Sequence, residues 1–190
     1  MSRDQDLLDP PPPKLMPAAV LIPLVPCADG LGVILTVRSR ELHRHRGQIA
    51  FPGGRIDAGD ASARAAALRE AWEEIGLSSS LVDVLGDLPW HETGSGYRVR
   101  PVVGLLDAPL RLEGLSLQRA EVGEVFIVPL SFLMNPVHHQ RRLGRWVQGD
   151  RPVTRVFYSM PWQSPSGREY FIWGATASML RNLYHFLAAD

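Results

Sequence analysis

The chain has 190 residues, 45% of them apolar, and its twenty basic and twenty acidic side chains leave a formal net charge of zero. That length and apolar content suffice for one globular domain with a buried core and no disulfide or metal staple. A neutral balance supplies no global field to recruit nucleic acid or an anionic membrane, so neither partner is expected and any anion must be recognised locally.

Residues 1–16, MSRDQDLLDPPPPKLM, are acidic and proline-rich where a secretory signal would be basic and then apolar. Pro10 to Pro13 lack amide donors and favour an extended polyproline path, so this stretch reads as a leader, with 17–190 as the single domain. No apolar run approaches the length of a membrane span, and the one cysteine, Cys27, has neither a disulfide nor a CxxC partner. These features together lead us to expect a cytoplasmic protein in which Cys27 is a buried thiol.

Ala18–Val25 and Leu31–Val37 are apolar and β-branched on either side of the turn residues Cys27 to Gly30, which predicts a hairpin. Pro23 and Pro26 place the first of these strands at an edge or bulge. The dense basic stretch RSRELHRHRG, residues 38–47, has no interleaved aromatic residue and so does not resemble a nucleic-acid surface. It reads either as a solvated loop or, in our preferred reading, as a positive rim for a phosphate-bearing small molecule, since guanidinium groups match phosphate oxygens with paired donors. Pro52-Gly53-Gly54 follows, where two glycines permit sharp turning and close approach to the main chain.

The most chemically loaded segment is Gly53 to Leu77. Asp60 is a good N-cap, Ala61–Ile75 is alanine-rich and helix-forming, and Gly76 is placed to end the helix. Ala66, Leu68, Ala71, Trp72 and Ile75 are expected to be its buried side. Glu70, Glu73 and Glu74 are neighbours at helical spacing, where like charges repel, so an ordinary solvated helix has little reason to carry them. A divalent cation supplies the reason. Arg69 and Glu73, four apart, can form an ion pair. Carboxylate oxygens suit Mg²⁺, with Mn²⁺ as substitute, rather than zinc. Mg²⁺ fills its remaining positions with water and phosphate oxygens, which points to a phosphate substrate.

Beyond the helix, Val82–Trp90 and Val99–Leu106 read as strands joined by a mobile connection through Thr93 to Gly96, with His91 and Glu92 exposed at its start. Glu121 and Glu124 precede a strand at Val125–Leu130, and Val153–Met160 and Glu169–Trp173 are two more. His138, His139, Arg141, Arg142 and Arg145 read as a solvated basic face. Thr176–Leu187 is expected as a closing helix, with an apolar stripe of Met179, Leu180, Leu183, Phe186 and Leu187.

The run Arg69-Glu70-Ala71-Trp72-Glu73-Glu74-Ile75-Gly76-Leu77 resembles the signature of the Nudix hydrolases. It departs from the pattern in two places: Asp60 stands where glutamate is usual, and Ala61–Leu68 is one residue longer than the usual spacer. Upstream, Leu35-Thr36-Val37-Arg38-Ser39, Gly47 and Phe51-Pro52-Gly53-Gly54 resemble the additional motif of the coenzyme A pyrophosphatase subgroup, although His43 stands where arginine is expected.

The resemblance implies an α/β Nudix fold, a mixed sheet sandwiched between helices, and Mg²⁺-dependent hydrolysis of the diphosphate of coenzyme A and its derivatives. The products would be 3′,5′-ADP and 4′-phosphopantetheine or its acylated form. Glu70 and Glu74 would be metal ligands, with Glu73 supporting them or holding a further ion. Arg69 would orient a carboxylate, and the catalytic base would come from Glu70, Glu73, Glu121 or Glu124. Arg38, Arg40, His43, Arg44 and Arg46 would face the substrate phosphates, with Gly53 and Gly54 lining the site. Other Nudix substrates (ADP-ribose, a dinucleoside polyphosphate, a capped RNA end) stay open, as do a non-catalytic ligand sensor and a homodimer.

Overall fold

The computed structural model describes residues 15–41, 46–148 and 151–189. Most of the segment expected to be a proline-rich leader, together with His43 and Arg44, lies outside them. The elements run β1 (Met16–Cys27), β2 (Gly30–Arg38), β3 (Ile49–Ala50), β4 (Gly53–Arg55), α1 (Ala63–Ile75), β5 (Val82–Asp87), β6 (His91–Glu92), β7 (Tyr97–Leu106), β8 (Val122–Pro129), α2 (Leu130–Leu133), β9 (Gln140–Gln148), β10 (Arg151–Gln163), β11 (Glu169–Trp173) and α3 (Gly174–Leu187).

Among the described residues, β1 to β8 form one mixed sheet on the path β3-β2-β1-β7-β5, with β4 on β1, β6 on β7 and β8 on β2. β1 and β7 are parallel from Met16↔Tyr97 to Leu24↔Leu105. β9, β10 and β11 form a second, antiparallel sheet.

The hairpin of β1 and β2 is present, but β1 is central, not an edge. The prolines are accommodated by a change of partner. β1 pairs with β4 over residues 18–20 and with β2 over residues 24–27, so Pro23 falls between the two ladders and Pro26 lies past the last pair with β7. Cys27 is the last residue of β1, paired with Gly30 at the hairpin end, and it is exposed there, not buried as expected.

Side chains alternate across the central sheet as the strand period of two requires. Ala19, Leu21 and Val25 of β1, Ile34 of β2 and Val102 of β7 face α1 and bury Ala66, Ala67, Ala71 and Ile75. Ala18, Ile22, Leu24, Val33, Leu35, Val99 and Val103 face the other way, onto α3, α2 and the second sheet. The small alanines let α1 lie close to β1, and its buried stripe therefore runs through Ala67, Ala71, Glu74 and Ile75, not through Trp72, which is 59% exposed. The helix begins later than expected: Ser62 is the N-cap, its Oγ accepting from the Ala65 amide at 3.1 Å, and Asp60 is left free to bond elsewhere. Gly76 ends α1 at φ 70°, donating its amide to the Trp72 carbonyl.

Three further expectations change. The Thr93–Gly96 connection is a tight hydrogen-bonded turn in which Thr93 and Tyr97 exchange main-chain and hydroxyl bonds, and His91 is buried by the pairing of β6 with β7. The basic run from residue 140 is strand β9, where Arg142 Nε donates to Ser159 Oγ at 2.7 Å and the guanidinium lies over Phe171. On α3, burial stops at Leu183, and Phe186 and Leu187 are exposed near the helix end.

The second sheet is fastened to the first by aromatic packing and one charged cluster. Phe126 of β8 stacks on Tyr170 of β11 at 3.9 Å between centroids. Tyr170 donates its hydroxyl to Glu124 Oε1 at 2.6 Å, and Arg168 reaches Glu124 Oε2 at 2.6 Å. Burial, reinforced by Glu124, pushes the phenol up to about 12. Replacing Tyr170 by Phe keeps the stacking and removes this bond. We expect a loss of about 1.5 kcal/mol of stability in urea denaturation, the usual worth of a hydrogen bond to a charged group, with an unchanged m-value.

Candidate functional site

An open cleft of about 1190 Å³ lies between α1, the β2–β4 region, the Thr93–Ser95 turn and the β10–α3 wall. Its lining includes Glu70, Glu73, Glu74, Arg69, Arg38, Gly53, Gly54 and Glu121 from the set singled out in the sequence. Arg40, Arg46 and Glu124 do not line it. Glu124 is turned to Tyr170 and Arg168, which explains why an acid three residues from Glu121 takes no place in the cleft.

Arg69 is the hub of the acid cluster. Its Nε and Nη2 donate to the two carboxylate oxygens of Asp60 at 3.0 and 2.9 Å, Nη1 donates to Glu70 Oε1 and Glu73 Oε2, both at 3.0 Å, and Nη2 also meets the Arg55 carbonyl at 3.2 Å. The bidentate bond to Arg69 holds Asp60 below the ordinary carboxylate range, and Asp60 in turn raises the guanidinium further, so Arg69 is a permanent cation. Asp60 also accepts the Asp57 amide at 2.8 Å. The residue expected to cap the helix thus braces the arginine that holds Glu70 and Glu73.

Glu74 is buried, 6% exposed at its side chain, and Gly53 N–H donates to its Oε2 at 3.0 Å. Burial pushes its carboxyl up to about 7, against the opposing pull of the Gly53 amide and of Arg38, whose Nη1 is 3.9 Å away. Burial also raises Glu70, while its bonds to Arg69 counter the rise, and the neighbouring charges of Glu73 and Glu121 add to it. Glu73 is exposed and, among the described residues, is tied to Arg69.

The diglycine is explained by proximity. A Cβ at Gly53 would strike the main chain of Ala19 and Val20 in β1, and a Cβ at Gly54 would strike the Glu70 carboxylate. This absence of side chains makes a cradle in which two carboxylates from one helix face lie against the main chain of β4. Among the described residues no three His, Cys, Asp or Glu side chains converge as a finished cation cage. The donor set still fits Mg²⁺, which takes one or two carboxylates and completes its shell with waters and substrate phosphates.

The opposite wall has no signature in the sequence. Val153 to Phe157 of β10 and Trp173 to Thr176 at the start of α3, with Met179, line the cleft. Nothing in their local pattern distinguishes them from core residues; the docking of the second sheet brings them there. Gln48, Thr93, Ser95 and Tyr97 line it too and carry no local signal either.

The buried acid and the cradle set the stability of the metal-free chain. Because the folded-state carboxyl of Glu74 lies above its ordinary value, its effect is destabilising once ionised: stability is retained below about pH 4.5, falls as pH rises to about 7 and levels off above that. Glu74→Gln, which can still accept the Gly53 amide, is expected to be more stable than the parent at pH 8 by on the order of 3 kcal/mol, with the gap closing at pH 5 in thermal melts. Gly53→Ala is expected to destabilise the fold by roughly 1–3 kcal/mol through main-chain overpacking. Gly54→Ala should leave stability within about 1 kcal/mol because Glu70 can move, which differential scanning calorimetry will distinguish.

The sequence matches the NUDIX domain family over residues 15–148. The Nudix hydrolase NudL of Escherichia coli K12, itself uncharacterized, is 43% identical over 168 residues, spanning 87% of this chain and 80% of the relative. Among solved structures, the Nudix hydrolase RenU from M. smegmatis superposes with a TM-score of 0.52 at 24% identity, covering 62% of this chain and 73% of that one. A MutT/nudix family protein from Enterococcus faecalis gives 0.54 at 17% identity, over 96% of this chain and 66% of that one. The two structures share the fold, and the domain match and the NudL similarity carry the relationship further: this chain belongs to the Nudix hydrolase family.

Proposed function

We propose that the chain is a Mg²⁺-dependent pyrophosphatase that hydrolyses the diphosphate of coenzyme A and its derivatives, giving 3′,5′-ADP and 4′-phosphopantetheine or its acylated form. The observation that carries this reading is the convergence, in one cleft, of the helix acids with Arg38, Phe51, Gly53 and Gly54 from the upstream motif. Thr36 Oγ1 donates to the Ala50 carbonyl at 3.1 Å and the Arg38 amide donates to the Gln48 carbonyl at 2.9 Å, so that motif folds back as one unit beside α1.

Glu70 and Glu74 would hold the cation, with Glu73 beside them, and the Gly54 main chain lies within reach of the same space. A bound Mg²⁺ neutralises diphosphate charge and makes an attacking water more acidic. The rest of the chemistry falls to the protein. Arg69 gathers and orients the Glu70 and Glu73 carboxylates, and Arg38 offers a cation to the phosphates from the β2 side. Glu70 and Glu73 are both tied to Arg69, so we assign the base to Glu121, which faces the cleft from the entrance of β8 and whose charge is felt by Glu70 and Glu74. It takes a proton as the water oxygen joins one phosphorus. The bond from that phosphorus to the bridging oxygen breaks, and the bridging oxygen leaves on the other phosphate.

Incubation with coenzyme A and Mg²⁺ in ¹⁸O water is expected to give these two products, with the label on one of them identifying the attacked phosphorus. Equal or faster turnover of ADP-ribose would refute the assignment to coenzyme A. Glu70→Gln and Glu74→Gln are expected to lose metal-dependent turnover, and unchanged turnover would refute their role as ligands. Glu121→Gln should lower kcat by roughly 10² to 10⁴, the range for general base catalysis, while KM stays within about twofold.

A further inference from the structure

The two arginines of the acid cluster are held in very different ways. Arg69 is saturated: three carboxylates and a carbonyl take its donors at 2.9 to 3.2 Å. Arg38 is not. Among the described residues its Nε is buried without a hydrogen-bond partner and its guanidinium pairs with Glu74, Nη1 lying 3.9 Å from Oε1, too long for a hydrogen bond. A buried donor left unmatched is costly and calls for a partner that the described residues do not supply. The main chain of Arg38 is nevertheless fixed: its amide donates to Gln48, its carbonyl accepts from Gly47, and the ladder to β8 shifts register between Val37 and Arg38. A rigid root therefore carries a loosely engaged head, 29% exposed, into the cleft beside the most buried carboxylate of the cluster.

We propose that Arg38 is a charge-exchange residue: it neutralises Glu74 while the carboxylates hold no metal and, once a divalent cation takes over that role, turns its guanidinium to the substrate diphosphate. This rests on the reading of the cleft as a metal-dependent diphosphatase site. Two cations near one buried carboxylate repel each other, so Arg38 and the metal compete for Glu74. A diphosphate gives Arg38 somewhere better to go, with oxygens able to take its unmatched donor. Metal and diphosphate then assist each other's binding, and by linkage the assistance is equal in both directions. Arg38 acts here as a positioning residue for metal loading as well as a phosphate contact, and the two roles have opposite signs when the charge is removed.

The test measures Mn²⁺ binding by the electron paramagnetic resonance signal of the free ion, at pH 8.5, with and without ADP as diphosphate probe, the Mn²⁺ taken up by ADP alone being subtracted from a protein-free titration. Arg38→Gln keeps a polar side chain and removes the charge; Arg38→Met removes both, and Arg38→Lys restores the charge. Without ADP, the Gln and Met variants are expected to bind Mn²⁺ about tenfold more tightly than the parent, and the Lys variant to return towards it. With ADP, the parent should gain Mn²⁺ affinity, and the two uncharged variants should gain several-fold less. Equal or weaker Mn²⁺ binding by folded Arg38→Gln overturns the exchange. If the parent binds no Mn²⁺ at all, the metal-dependent reading itself falls. If Mn²⁺ binding follows the expected pattern but coenzyme A is not hydrolysed, the exchange stands and only the substrate assignment fails.

Discussion

A carboxylate taken out of water must find compensation close by, and Glu74 is the place where this constraint shapes the molecule. Its side chain is pressed between α1 and the sheet, with one oxygen on the Gly53 amide and the other facing Arg38. The contact ties the helix to β4 and to the end of β2 at once. A buried acid with a raised pKa is a stability liability that a purely structural helix would avoid by placing an alanine there, as this helix does at Ala67 and Ala71. The fold tolerates it because the same burial keeps the carboxylate beside the main chain of the cleft.

Arg69 solves the complementary problem. Glu70 and Glu73 would repel one another and Glu74, yet Arg69 draws both onto one guanidinium, and Asp60 fixes that guanidinium from behind. The glutamates are thus held by a network whose anchor lies in the loop ahead of the helix. The helix α1 begins at Ala63 behind a serine cap, and Asp60 in the preceding loop reaches Arg69.

Much of this was legible because it is local. Helical spacing alone placed Glu70, Glu73 and Glu74 together, glycine pairs marked a close approach, and β-branched runs marked β1, β2 and β7. What escaped depends on contacts between distant segments. Trp72 looked like a core residue until the alanines turned the helix, and Pro23 looked like an edge residue until β1 changed partners across it. Glu121 and Glu124 were indistinguishable in sequence; only the second sheet, through Tyr170 and Arg168, draws one of them away. The wall from Val153 to Phe157 has no signature because its place depends on how one sheet sits on another.

The parallel pairing of β1 with β7 has a kinetic meaning. It joins Met16 to Tyr97 and Leu24 to Leu105, with β2, β4, α1 and β5 all lying between them in the chain. Such long-range ladders close slowly, because a large loop must be ordered before the contacts that reward it can form. The β1–β2 hairpin and α1 can form from nearby residues, but the other edge of β1 is paired only when β7 arrives. The cleft is bounded on both sides of that junction, by Ala18 and Val20 of β1 and by Tyr97 and Val99 of β7. It is therefore among the last features to be completed, and a nascent chain that has emerged only through α1 carries every helix acid and no finished site.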